Sequence, residues 1–514
     1  MLTVSGAGAS FAWAPSCIWP LFIAAVLMLF CGLYQKKHLW EAVFAGWCFG
    51  FGLNATSLFW VSEALYIDGD KFLWMIPFAV TGLPAILAIY HAAFSYALFI
   101  SRISQHGKIG SYAVAFSCLY SIIEILRGHI LSGFPWNLVA YIWSECIEIS
   151  QIASAIGSYG IGAITTAAAC LFSYIVLSKR RLLLPALAFI VPISAMYTYG
   201  YIRLSGRSIE YHENIVVRIV QPSIIQKNKI CPEMAEKNLT ELLALSNSYG
   251  AEKITHTIWP ESSIPWTISD DVMHIVFDKL RMINNNTILI AGSGYIFEQE
   301  RNLIATNAMV VKNATNINVI YSKSHLLPFG EYVPFRRFIE LAVDAKYVQK
   351  VTPGAMDFSP GYGVKTVRID NAPPFSPLIC YEAIFPGEVI KNNDRAQWII
   401  NITNDGWFGD TSGPYQHFSS VKFRAIEEGV PIARAANTGI SAMIDPYGIE
   451  INKLPIFSCG IIDCKLPKPI PSTIYGMYGK TIDLALALLL IAVFAFVSAI
   501  LPTHTNKISS KSCA

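Results

Sequence analysis

The sequence predicts a two-part fold: a polytopic α-helical membrane domain of about eight spans, and an extramembrane α/β layered domain. Three observations carry this expectation. The 514 residues are 54% hydrophobic and only 14% charged, whereas soluble proteins carry about 25% charged residues. Apolar runs close to the roughly 20 residues that a spanning helix needs recur through the first 200 positions and once near the end. From about Arg203 the composition turns polar, and strand-like and helix-like runs then alternate. The net charge of +3 is too small to argue for nucleic acid as a partner.

The candidate spans are 17–34, 42–66, 72–101, 111–127, 148–177, 182–201 and 482–501, with a shorter run at 2–15 ending at Pro15. No Lys or Arg precedes the 2–15 run, so it lacks the basic region of a cleavable signal peptide. Cytoplasmic loops are enriched in Lys and Arg. Lys36 and Lys37, Arg102 and Lys108, Lys179 to Arg181, and Lys507 and Lys511 follow alternate spans when 2–15 is counted. All four clusters then share one side, and the large domain falls on the other. The expected division is 1–202 for the N-terminal transmembrane helices, 203–480 for the extramembrane domain, and 481–514 for a last span with a short cytoplasmic tail.

Arg203 to Glu213 reads as a polar linker, and Asn214 to Val220 as a β-branched strand. Helical patterns are expected at about 232–249 and 270–283. Strand-like runs are Thr287–Ala291, Ala308–Val311, Val319–Tyr321, Pro377–Cys380, Trp398–Asn401 and Ser441–Ile444. The eleven cysteines are scattered without a C-x-x-C pair, which is not a disulfide scaffold. Six of them, Cys17, Cys31, Cys48, Cys118, Cys146 and Cys170, sit in apolar segments, and Cys459 and Cys464 could pair only if their strands were adjacent.

Three segments place a reactive side chain where an apolar run meets a Pro- or Gly-rich turn, a position where loops carry chemistry on a rigid sheet. Trp259-Pro-Glu-Ser-Ser-Ile-Pro-Trp266 offers Glu261, Tyr321-Ser-Lys-Ser-His-Leu-Leu-Pro-Phe-Gly-Glu331 offers Lys323 and Glu331, and Phe375-Ser-Pro-Leu-Ile-Cys380 offers Cys380. A thiol attacks as thiolate, and a free cysteine has a pKa of about 8.5. Glu261 can serve as its base. Lys323 can stabilise the thiolate and then an oxyanion, with the Tyr381 N–H as a second donor. A cysteine thioester passes its acyl group readily to an amine. Taken singly, each residue has a plainer reading: a structural cysteine, a solvated lysine, a glutamate capping a helix. His325 and His417 are the candidates for a Cys–His pair. No cluster has metal-ligand or phosphate-cradling spacing, and there is no G-x-S-x-G elbow.

Together the three segments resemble the Glu–Lys–Cys triad of the nitrilase (carbon–nitrogen hydrolase) superfamily, which implies a nitrilase-like α-β-β-α sandwich. Lys323 to Pro334, Cys380-Tyr-Glu382, Asn404-Asp-Gly-Trp-Phe-Gly-Asp410, Ser132-Gly-Phe-Pro-Trp136 and Arg434-Ala-Ala-Asn-Thr-Gly-Ile-Ser441 further resemble the bacterial apolipoprotein N-acyltransferase family. That resemblance implies Glu261 as general base, Lys323 as oxyanion stabiliser, Cys380 as nucleophile and Glu331 as a supporting glutamate. It implies that Tyr381 and Glu382 are needed for activity, and that Trp136 and Trp407 lie near the site or its entrance. Gln221, Ile224, Gln226 and Lys229 fit a family pattern that ends in tryptophan, but Ile230 stands in the tryptophan position.

The resemblance implies transfer of an acyl chain from a phosphatidylethanolamine-like phospholipid to the α-amino group of a diacylated apolipoprotein. It implies no cofactor and no nucleic acid, a monomer in the bacterial inner membrane, and a catalytic domain on the periplasmic side. Two other readings share features with it. One is a membrane-tethered amidase that uses water. The other is a transporter with a binding domain, for which Glu63, His91 and Glu124 are the ionisable residues in or near spans. Phe335 to Lys350, with Phe338, Ile339, Leu341, Ala342 and Val343 among charges, fits either an amphipathic arm over the site or a helix of the core.

Overall fold

The computed structural model describes residues 1–34, 36–101, 109–177, 183–265, 267–269, 273–280, 287–341, 348–354 and 356–499. The helical part contains α1 (Leu2–Ala9), α2 (Pro20–Tyr34), α3 (Leu39–Ser57), α4 (Leu83–Ile100), α5 (Ile109–His129), α6 (Ala153–Leu177) and α7 (Leu183–Ser205). Among the described residues, four helices are long and apolar enough to cross a membrane: Leu73–Ile100, Ile109–His129, Ala153–Leu177 and Ile474–Ala499. A fifth arises if Leu39–Ser57 and Phe59–Tyr66, bent by 57° where they meet, form one broken span. The expectation of about eight spans is corrected accordingly.

For the 2–15 and 17–34 runs the reason is helix length. At 1.5 Å per residue, the eight residues of α1 cover about 12 Å and the fifteen of α2 about 22 Å, against about 30 Å of hydrocarbon. The 2–15 run instead lays α1 on α3. Gly6 permits the approach, since a Cβ there would sit 2.0 Å from the Phe49 carbonyl oxygen. Arg102, Lys108, Lys179 to Arg181, Lys507 and Lys511 lie outside the described residues.

After α7 the chain builds two sheets. The strands of the first are β1 (Tyr211–Gln221), β2 (His256–Ile258), β3 (Ile268–Ser269), β4 (Ile288–Gln299), β5 (Asn302–Lys312), β6 (Ile317–Ser322) and, from the end of the domain, β12 (Gly460–Pro467). Their order is β12-β1-β2-β4-β5-β6, with β3 paired to β4. The second sheet has five strands, each paired with its neighbours in chain order. Its strands are β7 (Phe375–Ile379), β8 (Trp398–Thr403), β9 (Ile432–Ala436), β10 (Ser441–Ile444) and β11 (Glu450–Leu454). Cys459 and Cys464 fall just before and within the single strand β12, both as free thiols. Five residues of strand place them about 17 Å apart, beyond the roughly 7 Å Cα limit of a disulfide.

Apolar faces of the two sheets meet. Val217, Ile219, Ile258, Ile290 and Met309 pack in one buried cluster with Phe375, Ile379, Ile400, Ala433 and Met443. The helix α8 (Ala235–Ser246) covers the outside of the first sheet with Leu239, Leu242 and Leu243 against Trp259, Leu289 and Val310. A second outer helix (Gly413–Glu428), numbered α10 after α9 (Met273–Leu280), covers the second sheet with Phe418, Val421 and Ala425 against Ile399, Ile432 and Ala442. The result is an α-β-β-α sandwich. The last helix, α11 (Ile474–Ala499), returns to the helical part.

The helix α10 is buried on its far side as well. Phe423 and Ile426 belong to the same cluster as Tyr141, Tyr159 and Ile161 of the helical part. Glu427 accepts hydrogen bonds from the Ser158 N–H (2.9 Å) and hydroxyl (2.6 Å), and Arg424 pairs with Glu427 at 3.0 Å. One helix therefore serves both halves of the molecule.

Candidate active site

Glu261, Lys323 and Cys380 follow β2, β6 and β7, and the sandwich brings these three strand ends together. The turn carrying Glu261 is tied to β4: the Gly292 N–H donates to Pro260 O (3.2 Å), and the Ser263 N–H donates to Gly292 O (2.9 Å). Glycine is required there, because a Cβ on residue 292 would lie 2.6 Å from Glu261 Cα. The buried Glu261 carboxylate accepts from Asn307 Nδ2 (2.7 Å) and from the Asn404 N–H (2.9 Å).

Lys323 is buried, and its Nζ lies 2.8 Å from Glu331 Oε2. Glu331 also accepts from the Leu327 N–H (2.8 Å) and from Asn307 Nδ2 (2.9 Å). Asn307 thus bridges the carboxylates of Glu261 and Glu331 from the middle of β5. Cys380 opens a tight turn (Cys380–Ile384) and holds φ at 52°, a left-handed conformation uncommon outside glycine. Its side chain is within electrostatic reach of Glu261 and Lys323.

Charge balance in this pocket follows from burial. Burial pushes the Glu261 carboxyl above its ordinary range, with Lys323 opposing and Glu331 adding to the rise. Burial alone would lower Lys323, but Glu331, Glu261 and the thiol outweigh it and hold the ammonium protonated. Burial, then Glu261, push the Cys380 thiol up against the pull of Lys323. Burial therefore disfavours a free thiolate at rest, and the Glu261 carboxyl beside the thiol is placed to receive its proton.

Glu382 does not face the thiol. Its Oε1 accepts from the Tyr321 hydroxyl (2.7 Å), the Ser324 N–H (2.7 Å), the Ser324 hydroxyl (2.9 Å) and the His325 N–H (3.1 Å). Its Oε2 accepts from the Ile379 N–H (2.8 Å). It clasps the loop after Lys323 to the strand before Cys380. The Tyr381 hydroxyl donates to Gly133 O (3.1 Å), and His325 Nε2 lies 2.6 Å from Ser132 O, so the 132–136 loop is fastened to the same region. His325 stacks on Phe385 at 3.7 Å. Among the described residues, the His417 ring meets Cys380 at its carbonyl oxygen and the His325 ring meets Ser132 O, so neither histidine hydrogen-bonds the thiol as a Cys–His pair would.

Trp136 is buried, donates to Gln416 Oε1 (2.8 Å) and lies 5.6 Å from the His417 ring. Trp407 and Ile230 line one cavity of about 450 Å³ with Lys71, Arg336 and Lys350, so the residue at the tryptophan position does face the same space as Trp407. Glu124 accepts from the Val139 N–H (2.7 Å) beside Arg127, a local structural role. Phe335, Phe338 and Leu341 are exposed, which removes the core-helix reading for that part of the 335–350 segment. Ala342 and Val343 lie outside the described residues.

Sequence reasoning missed Asn307 and Asn404 as hydrogen-bond partners of the Glu261 and Glu331 carboxylates. The one signal for Asn307 was an amide inside an otherwise apolar strand, where Asn is depleted.

Comparison with known proteins adds to this geometry. Residues 5–171 match the family model described as apolipoprotein N-acyltransferase N-terminal domain, and residues 216–468 match the carbon-nitrogen hydrolase model. A Rhodopseudomonas palustris protein named apolipoprotein N-acyltransferase is 35% identical over 93% of this chain and 91% of its own length. Its counterpart of the same name from Bradyrhizobium diazoefficiens is 36% identical over 95% and 93%, and that from Rickettsia typhi 34% identical over 90% and 91%.

Proposed function

The chain belongs to the apolipoprotein N-acyltransferase family, and from that premise we propose a two-step acyl transfer through Cys380. In the first step, Glu261 takes the thiol proton as sulfur attacks the ester carbonyl of a phosphatidylethanolamine-like phospholipid. The S–C bond forms and the carbonyl π electrons move to oxygen. Lys323 and the Tyr381 N–H hold that oxyanion, and each such donor is worth roughly 10²–10³ in rate. The oxyanion collapses, the ester C–O bond breaks, and the lysophospholipid leaves with the proton from Glu261. In the second step, the α-amino group of the lipoprotein's diacylglyceryl-cysteine attacks the thioester. Glu261 takes a proton from the amine, the C–S bond breaks, and the thiolate recovers the proton from Glu261. The product is an N-acylated lipoprotein.

The observation that supports this reading is the shared hydrogen-bond frame of Glu261, Lys323 and Glu331, closed by Asn307. A single amide aligns the base and the cation's partner. The position of the frame next to the helical part suits substrates that are both anchored by acyl chains. In this reading residues 203–480 are the catalytic domain, they face the periplasm from the inner membrane, and one chain suffices for activity without a cofactor.

The test is a trapping experiment on the detergent-purified protein. Acyl-labelled phosphatidylethanolamine should label wild type and not Cys380→Ala, neutral hydroxylamine should release the label, and a diacylated lipopeptide should receive it as an amide. Label transferred only to water would instead establish a hydrolase, and absence of label on folded protein would end the proposal.

A further inference from the structure

A buried charged chain that the reaction scheme leaves unused ends on the peptide between Cys380 and Tyr381. His417, on α10, places Nε2 3.2 Å from the Cys380 carbonyl oxygen. A carbonyl oxygen only accepts, so Nε2 carries the proton in that bond. His417 Nδ1 lies 2.9 Å from Asp405 Oδ1 and 3.2 Å from Arg434 Nη2. Asp405 accepts from Arg434 Nη2 (2.7 Å) and from the Thr403 hydroxyl (2.9 Å). Arg434 also donates through Nε to Ile440 O (3.1 Å). His417, Asp405 and Arg434 are all buried.

The consequence follows from peptide geometry. A trans peptide is planar and carries its C=O and N–H on opposite edges. A hydrogen bond that fixes the Cys380 carbonyl therefore fixes the direction of the Tyr381 N–H, which points away from His417. Tyr381 is the second residue of its tight turn, so its N–H has no partner within the turn and stays available. The left-handed φ of Cys380 makes this peptide unfavourable on its own, so its orientation depends on outside support.

We propose that His417, oriented by Asp405 and Arg434, is a positioning residue that aims the Tyr381 N–H at the oxyanion. The inference rests on the acyl-transfer reading above. Gln416, one residue earlier, accepts from Trp136 and Trp60 of the helical part (2.8 and 3.2 Å). The helical part therefore packs against this end of the network, with the Trp136 ring 5.6 Å from the His417 ring.

Two rates on the full-length protein separate positioning from simple support of the fold. One is single-turnover thioester formation from acyl-labelled phosphatidylethanolamine. The other is alkylation of Cys380 by iodoacetamide, with Cys380→Ala as background; this displacement forms no oxyanion. His417→Met removes the donor at similar size. It is expected to slow acylation about 10- to 100-fold, through kcat rather than KM, with alkylation within about threefold of wild type. Equal losses in both rates, or no loss in either, would overturn the proposal. His417→Gln restores a donor at the same end of the side chain and keeps the test decisive if the Met variant does not fold. It is expected to acylate within about tenfold of wild type, and a Gln variant that alkylates normally but acylates more slowly than that overturns the proposal. Failure of the wild type itself to form a thioester would instead remove the acyl-transfer reading.

Discussion

Glu382 gathers five donors on two oxygens, and only an ionised carboxylate offers acceptors in every direction. Glu382→Gln turns an N–H₂ toward at least one of those donors. It should lower stability by about 3 kcal/mol and thioester formation at least tenfold; wild-type thioester yield would disprove the clasp. Asp405 gives a test in pH. Despite burial, Arg434 and His417 hold its carboxyl at about 2, against an ordinary 3.8. A depressed carboxyl contributes stability above its unfolded value, about 2 kcal/mol here. That contribution is lost as pH falls from about 4 through about 2. The difference in melting temperature between wild type and Asp405→Asn should therefore shrink across this window. Glu261, Lys323 and Cys380 were legible because each stands at the end of an apolar run beside a turn. Asn307, Asn404 and Asp405 were not, because each takes at least one partner from a distant part of the chain: Glu261 for Asn307 and Asn404, and Arg434 for Asp405.

At the scale of elements, most strands could be read from β-branched runs, and the exceptions have physical causes. β9 is Ile-Ala-Arg-Ala-Ala, an alanine-rich segment of low strand propensity that pairs only because β8 and β10 flank it. β2 is three residues long. The span count was overestimated because an apolar run does not show where its helix stops, as in the eight-residue α1. Gly292 on β4 sets how closely the Glu261 turn can approach. Gly292→Ala should cost about 1–3 kcal/mol and reduce thioester formation, measured with melting temperature on the same preparation. The exposed Phe335, Phe338 and Leu341 fit an arm that dips into lipid. Leu341→Asp should raise KM for vesicle phospholipid about tenfold with kcat retained, and an unchanged KM would end that idea.

At the scale of the whole molecule, the halves join where a buried ion pair within α10 hydrogen-bonds to Ser158 and Tyr141 of the helical part. Arg424 and Glu427 are both fully buried, and Arg424 also reaches the Tyr141 hydroxyl (3.2 Å) and the Ser158 hydroxyl (2.9 Å). Breaking a buried pair from one side leaves a bare charge, at a cost of about 3–5 kcal/mol. Arg424→Met should therefore destabilise the protein strongly, and the double variant with Glu427→Met should recover much of the loss; a double variant no more stable than the single one would contradict this. The two-part division was visible in composition, but this join was not: α10 was not among the expected helices, and its partners Tyr141 and Ser158 come from more than 250 residues earlier. Its double burial constrains how the molecule can be handled and how it can change. Cutting the chain at Ser205 and Ile474 would bare Phe423, Ile426 and the Arg424–Glu427 pair to water, so the catalytic half is a poor candidate for a soluble screening reagent. For the same reason, a recombination that exchanged one half between relatives would have to carry the matching face of the other, and the two halves are bound to be inherited together.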